Sequence, residues 1–358
     1  MIGVDKTSKL LRIHSVTKSK LTDVNFDDIV FGKTFTDHMF ICNYIDGKWK
    51  NPVIQPFQPI TLDPSASVLH YGQAVFEGMK AFKDDNGTVW LFRPDENFKR
   101  LNRSAHRLQI PEFPEDFFFE ALQKLISLDS DWIKKGVGNS LYVRPFVFAS
   151  QATVQAIASL EYTFLIICSP AKSYYDGEEI NVLVAEKYSR AANGGVGFAK
   201  AAGNYAAQFY PTSEATKKGF QQIIWTDSEK HKYLEEAGTM NIFFKIDGKL
   251  ITSPVNDRIL DGVTRKSIIS IAKNKGIEVE ERPLSIDEVV EAHKAGKLEE
   301  IFGTGTAVVV LPINSFSYED VSYSLPQKTD LAENLKKELV AIQYNQIEDP
   351  YNWTVKVD

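Results

Sequence analysis

One lysine of the 358-residue chain stands among residues too small to shelter it. Around Lys200 the sequence reads NGGVGFAKAAGNY (Asn193–Tyr205), with glycines and alanines on both sides. Small residues let a large planar ligand or another backbone come close. A lysine in an apolar, small-residue pocket loses solvation and its pKa falls. A neutral amine can then form a Schiff base with a carbonyl. Taken alone, the same stretch also reads as a glycine-rich loop with a solvent lysine. A nucleotide phosphate loop is excluded, because Ala199 and Ala201 flank the lysine where Gly and Ser or Thr are required.

Three other segments bear on that choice. Leu234–Asn241 (LEEAGTMN) sets two adjacent carboxylates against a glycine and an apolar strand. Alternate strand residues face opposite sides, so only one of Glu235 and Glu236 is expected to point inward. An inward carboxylate could pair with a protonated pyridine nitrogen and strengthen a ring as an electron sink; an acidic turn before a strand is the plainer alternative. Ile259–Arg265 (ILDGVTR) is a turn at a predicted helix start, where exposed amides make an anion site. Gly303–Thr306 (GTGT) follows a strand and offers amides and hydroxyls. Both segments are also ordinary turn chemistry.

The elements that must position these residues are α/β in character. Thr88–Phe92, Leu141–Ala149 and Tyr162–Cys168 read as strands. A helix runs from a cap at Asp95 to about Leu108, and another spans Pro114–Leu128. The polar stretch Ser169–Glu179 is the candidate linker, giving a smaller domain over 1–170, a linker over 171–179 and a larger domain over 180–358. Beyond it come strands at Ile180–Ala185, Phe220–Trp225, Met240–Ile246 and Leu250–Thr252, the last two joined by an Asp247-Gly248 turn. Val263–Lys275 is a helix ended by Gly276, Ser285–Glu288 is a capping box, and Ile301–Leu311 is a strand run broken by the GTGT turn.

Composition narrows the class. The chain is 43% hydrophobic and 25% charged, with a net charge of −6, which suits a globular protein and gives no basic face for nucleic acid. Two distant cysteines, Cys42 and Cys168, offer neither metal spacing nor a disulfide framework and fit a reducing cytoplasm. No apolar run reaches the roughly 20 residues that span a bilayer, and no secretory leader is expected.

Taken together and in order, the segments resemble the branched-chain amino-acid aminotransferases, fold-type IV pyridoxal-phosphate enzymes. The resemblance rests on FGKTFTDHM (Phe31–Met39), HYGQAVFEGMKAF (His70–Phe82), FRPDENFKRLNRSAHRL (Phe92–Leu108), LYVRP (Leu141–Pro145), GFAKAAGNYAA (Gly197–Ala207), EAGTMN (Glu236–Asn241), ILDGVTR and GTGTAVVV (Gly303–Val310). It implies a two-domain α/β (α+β) fold with the active site at the domain interface, and pyridoxal 5'-phosphate as cofactor. By that resemblance Lys200 carries the Schiff base and moves the proton, Glu236 pairs with the pyridine nitrogen, and Tyr205 bonds the ring hydroxyl. Arg100 grips the phosphate, helped by Val263, Thr264 and Thr306; read locally, it would pass for an exposed helix charge. Phe31, Tyr71, Phe76, Tyr142 and Tyr174 wall a pocket for a branched side chain. Thr306 and Ala307 amides with the Tyr71 hydroxyl hold the α-carboxylate, and Arg144 takes the side-chain carboxylate of glutamate.

The implied reaction moves the amino group of leucine, isoleucine or valine to 2-oxoglutarate, giving glutamate and a branched 2-oxo acid. The implied assembly is a cytoplasmic homodimer in which Tyr71 and the loop near Gln151–Gln155 reach the neighbouring subunit's site. Metal, nucleic acid and membrane have no part in it. Other fold-type IV activities, such as D-amino-acid aminotransferase or aminodeoxychorismate lyase, are the nearest alternatives, and a pyridoxal-phosphate-binding protein without turnover is a rival of another class. One departure is plain: Ala307–Val310 stands where the mammalian enzymes carry a CxxC redox pair.

Overall fold

Long β-branched and aromatic runs set the frame of each half of the chain. A computed structural model describes residues 11–172, 180–326 and 330–358. The chain divides into two units, Met1–Lys172 with Asp349–Asp358, and Ser173–Glu348.

The first unit is a nine-stranded sheet: β1 (Arg12–Ile13), β2 (His38–Ile45), β3 (Lys48–Pro56), β4 (Ala74–Phe76), β5 (Met79–Lys83), β6 (Val89–Phe92), β7 (Ser140–Ala149), β8 (Tyr162–Ala171) and, from the far end of the chain, β18 (Thr354–Lys356). Their order is β1-β3-β2-β8-β7-β5-β6-β18, with β4 added on β7. The β7–β8 ladder is its spine, running in unbroken register from Ser140↔Ala171 to Ala149↔Tyr162. Helix α1 (Ser67–Tyr71) stops at Gly72, whose φ of 62° is left-handed and suits glycine. Helix α3 (Glu115–Leu128) buries Phe118, Ala121, Leu122, Leu125 and Ile126, the 3–4 spacing of a single apolar face.

Helix α2 (Pro94–Arg107) begins two residues earlier than a cap at Asp95 would allow. Arg93 is the capping residue in a left-handed conformation (φ 49°), and Pro94 takes the first helical turn, where a missing N–H costs nothing. Asp95 falls inside the first turn, where its charge suits the helix dipole.

The terminal residues 349–358 correct the expected boundary, which gave them to the second domain. Strand β18 pairs antiparallel with β6 in the first unit, Thr354 opposite Phe92. Otherwise the outer edge of β6 would leave its backbone groups unpaired. Trp353 fixes the return: its ring lies under the Arg93 guanidinium at 4.9 Å and its carbonyl accepts the Arg93 N–H at 2.7 Å.

The second unit holds β9 (Ile180–Val184), β10 (Gln222–Thr226), β11 (Leu234–Ala237), β12 (Met240–Ile246), β13 (Lys249–Thr252), β14 (Val279–Glu281), β15 (Leu298–Gly305), β16 (Val309–Tyr318) and β17 (Val321–Ser324). The order β11-β10-β9-β16-β15-β12 closes on itself, because β11 also pairs with β12. A closed ring has no raw edge to protect; β13 and β14 extend outward from β12. Asp247 and Gly248 both have positive φ (51° and 77°), as a tight hairpin turn requires.

Among the described residues four helices accompany the ring: α4 (Gly203–Lys217), α5 (Val263–Asn274), α6 (Ile286–Lys294) and α7 (Asp330–Gln343). Gly276 follows α5 with a φ of 76°, and the Ser285 hydroxyl caps α6 by accepting the Glu288 N–H at 3.1 Å. The break in the β15–β16 run falls at 306–308, just after the GTGT glycines.

Candidate active site

The Lys200 loop owes its shape to close backbone contact. A Cβ on Gly197 would lie 2.5 Å from both the Ala191 Cβ and the Arg258 carbonyl, so only glycine fits there. The Phe198 N–H bonds the Asp257 carbonyl at 3.1 Å. Buried Asn204 then ties the loop to the start of α4, its amide donating to the Val196 and Ala199 carbonyls at 2.8 and 2.9 Å. Within the first turn of α4, the Tyr205 hydroxyl accepts a hydrogen bond from Lys200 Nζ at 2.8 Å. Lys200 and Tyr205 share a cleft with Arg190, Glu236, Thr239 and Leu260.

Both carboxylates on β11 are buried, not one. Each meets the strand rule in its own way, because each has its own arginine. Glu235 pairs with Arg258, and Glu236 pairs with Arg190. Only Glu236 lines the cleft with Lys200. Its other oxygen accepts from the Asn241 amide at 3.0 Å and the Leu260 N–H at 3.3 Å. Burial pushes its carboxyl from the usual 4.5 up to about 7, against the opposing pull of the Arg190 charge. Glu235 is likewise raised by burial, with Arg258 pulling the other way. Arg190 also donates to the Arg258 carbonyl, so the two ion pairs brace each other.

The ILDGVTR turn leads into α5 with Gly262 as its capping residue and no side-chain cap, leaving the N–H groups of Val263 and Thr264 in the first turn. A Cβ on Gly262 would meet Asn241 Oδ1 at 1.9 Å, so the helix start is pressed against the strand that carries Asn241. Thr306 and Ala307 occupy the β15–β16 turn.

In the first unit Arg100 is not an exposed charge. It is 5% exposed and grips fully buried Glu77 through two bonds, Nε to Oε1 at 2.7 Å and a terminal nitrogen to Oε2 at 2.9 Å. Asn97 adds a bond to the same carboxylate at 2.8 Å. Four of the expected pocket residues also come together there. Phe31 meets Tyr142 edge to face at 5.0 Å, the Arg144 guanidinium lies over the Phe76 ring at 4.5 Å, and Arg144 donates to the Tyr142 hydroxyl at 2.8 Å. A Cβ on Gly78 would strike that hydroxyl at 2.2 Å. Tyr71 stands apart from this cluster in its contacts: 46% exposed, it donates to the Val154 carbonyl. Tyr174 lies outside the described residues.

The family model described as amino-transferase class IV matches residues 74–316. The "Branched-chain-amino-acid transaminase 1" of Bacillus subtilis is 47% identical over 333 residues, covering 91% of this chain and 94% of its own. The chain belongs to the class IV aminotransferases. Solved branched-chain aminotransferase structures share the fold. A branched-chain aminotransferase from Thermoproteus uzoniensis, crystallised with norvaline, superposes with a TM-score of 0.76 at 23% identity over 90% of this chain and 100% of its own. The Thermobaculum terrenum branched-chain amino acid aminotransferase in its PLP form gives 0.72 at 22% identity over 89% and 98%.

In this class IV aminotransferase the sequence motifs point to Lys200, Tyr205 and Glu236, and the structure brings them into one cleft. The same motifs give no role to Arg190, Asn241 or Glu77, which the structure places at the buried carboxylates and Arg100. Asn241 closes the EAGTMN motif and Glu77 opens EGMKAF, so both stand within motifs that the sequence makes visible. Arg190 lies in a polar stretch whose sequence carries no signal of a buried partner.

The Glu236 shift has a signed consequence. Between pH about 4.5 and about 7 the folded apoprotein keeps a proton on Glu236 that the unfolded chain has released, so stability falls as pH rises through that window. Denaturant unfolding of the apoprotein and of Glu236→Gln should show the wild type losing ground to the variant by up to about 1.4 kcal/mol per pH unit there. A flat difference, or one favouring the wild type as pH rises, contradicts the assignment.

Proposed function

We propose that the chain is a branched-chain amino-acid aminotransferase that uses pyridoxal 5'-phosphate. It exchanges the amino group of leucine, isoleucine or valine with 2-oxoglutarate in a reversible ping-pong reaction, giving glutamate and the branched 2-oxo acid. The observation that carries this reading is the Lys200–Tyr205 hydrogen bond facing a buried carboxylate, in a chain 47% identical to a named transaminase.

The residues fit that cofactor. Glu236 is a buried carboxylate whose burial disfavours its charge, and a cationic ring nitrogen is the partner that would keep it ionised. The uncapped start of α5 presents amides suited to a phosphate. When bound, pyridoxal phosphate supplies a carbonyl that takes the amino group and a ring that holds the electrons released at the substrate Cα.

The chain's own groups do the rest. Lys200 Nζ takes the proton from the substrate Cα, and the Tyr205 hydroxyl holds that amine in place. Tyr205 would also bond the ring hydroxyl. Arg190, Asn241 and the Leu260 N–H keep Glu236 fixed in orientation. Arg100, set by Glu77, would hold the phosphate, as would Val263, Thr264 and Thr306. Phe31, Tyr71, Phe76, Tyr142 and Tyr174 receive the branched side chain, and the Thr306 and Ala307 amides with the Tyr71 hydroxyl receive the α-carboxylate. Arg144 takes the second carboxylate of glutamate; its Nε is buried and has no hydrogen-bond partner among the described residues, which supports that role.

The proposed assembly is a cytoplasmic homodimer. Its support is an exposed apolar surface on the first unit, where Leu69, Tyr71, Val154, Ile157 and Leu160 are 46–67% exposed.

Holoenzyme mixed with leucine alone should lose its yellow absorbance band and regain it on adding 2-oxoglutarate. Lys200→Ala should still fold but lose turnover by more than about 100-fold, the usual scale for a positioned proton carrier. A band that responds to D-alanine and not to leucine sends the chain to another class IV activity, and full activity in Lys200→Ala defeats the reading. The substrate assignment has its own test. Arg144→Gln should raise the KM for 2-oxoglutarate by roughly 10-fold or more, the scale of a hydrogen bond to a charged group, while the KM for leucine changes little. Equal effects on both substrates would remove Arg144 from its role.

A further inference from the structure

The hydroxyl of Thr304 has no hydrogen-bond partner among the described residues, although the residue is only 1% exposed. Buried hydroxyls are rarely left so. Its place in the sheet says what it faces. Glu236 on β11 is paired with Asn241 on β12, and Asn241 is paired with Thr304 on β15. Residues directly opposite on neighbouring strands share a face, so the three side chains stand in one row. The Asn241 amide bonded to Glu236 at 3.0 Å shows the first step of that row. The other face is occupied at this point: Met240 lies over Gly303, where a Cβ would come 2.8 Å from its Cε.

The start of α5 is pressed against the middle of the row, Gly262 against Asn241 Oδ1. That helix has twelve residues and no side-chain cap. An uncapped helix start and an unpartnered buried hydroxyl thus share one sheet face. Amide N–H groups and an O–H together make a donor set for an oxyanion with several acceptor oxygens.

We propose that Thr304 Oγ1 is a phosphate ligand, donating to the cofactor phosphate alongside the first-turn amides of α5. The inference rests on the reading that the chain binds pyridoxal phosphate, and it deepens that reading with the threonine of the GTGT motif to which the resemblance gives no role.

The test compares Thr304→Val, which keeps the shape and removes the hydroxyl, with Thr304→Ser, which keeps it. Apoprotein melting is measured with the dissociation constants of pyridoxal phosphate and of pyridoxal, which lacks the phosphate. Thr304→Val apoprotein should melt at or above the wild-type temperature, since an unpartnered hydroxyl has been removed. Its Kd for pyridoxal phosphate should rise about 10-fold, the scale of a hydrogen bond to a charged group, while its Kd for pyridoxal stays unchanged. Thr304→Ser should stay near wild type. A lower apoprotein melting temperature in Thr304→Val, an equal loss for both ligands, or unchanged pyridoxal-phosphate affinity overturns the proposal. Unchanged cofactor affinity with a raised KM for leucine would move the hydroxyl to the substrate carboxylate instead. A wild-type chain that binds no pyridoxal phosphate defeats the cofactor reading itself, whereas tight binding by both wild type and Thr304→Val defeats this inference alone.

Discussion

A carboxylate held almost out of water sets the terms for the second unit. Glu236 is 3% exposed, and a charge there survives only with fixed partners. Each partner comes from a different stretch of chain: Arg190 from the approach to the lysine loop, Asn241 from the next strand, and the Leu260 N–H from the turn before α5. Meeting that demand forces close packing. Gly197 lies against the Arg258 carbonyl, Gly262 against Asn241, and Gly238 turns the β11–β12 hairpin with a positive φ of 56°. The same packing that satisfies the carboxylate delivers Lys200 and Tyr205 to its cleft.

The first unit solves a similar problem with Arg100 and Glu77. Two parallel bonds fix the plane of the guanidinium, which arginine permits and lysine does not. Removing one partner of such a buried pair typically costs about 3–5 kcal/mol, because the other charge is stranded. Arg144 is held by different means, stacked on Phe76 and bonded to Tyr142. In both cases a cation is oriented before any ligand arrives, and preorganisation of that kind lowers the cost of binding.

How far the sequence can be read follows from how local each feature is. The α3 helix, the Asp247-Gly248 turn and the Ser285 cap are written in spacing and turn chemistry, and they fold as those predict. Helix α4 is different. Pro211 stands inside it and its apolar residues mark no single face, so no periodicity announces it. The return of β18 to β6 joins residues some 260 positions apart, which no local pattern encodes. The ring closure by β11 and β12 is equally non-local. At the site, strand alternation alone predicts one inward carboxylate; burial of both Glu235 and Glu236 follows from Arg258 and Arg190, which approach from outside the strand. Arg100 looks like one of several charges on α2 until Glu77 is placed beneath it.

The central claim is that Glu236 stays ionised by holding a cationic ring nitrogen. Nitrogen-15 NMR of holoenzyme loaded with ring-labelled pyridoxal phosphate reads that nitrogen directly. A protonated ring nitrogen in the wild type, lost in Glu236→Gln, is the predicted result. An unprotonated nitrogen in the wild type, or the same signal in both proteins, would contradict the account.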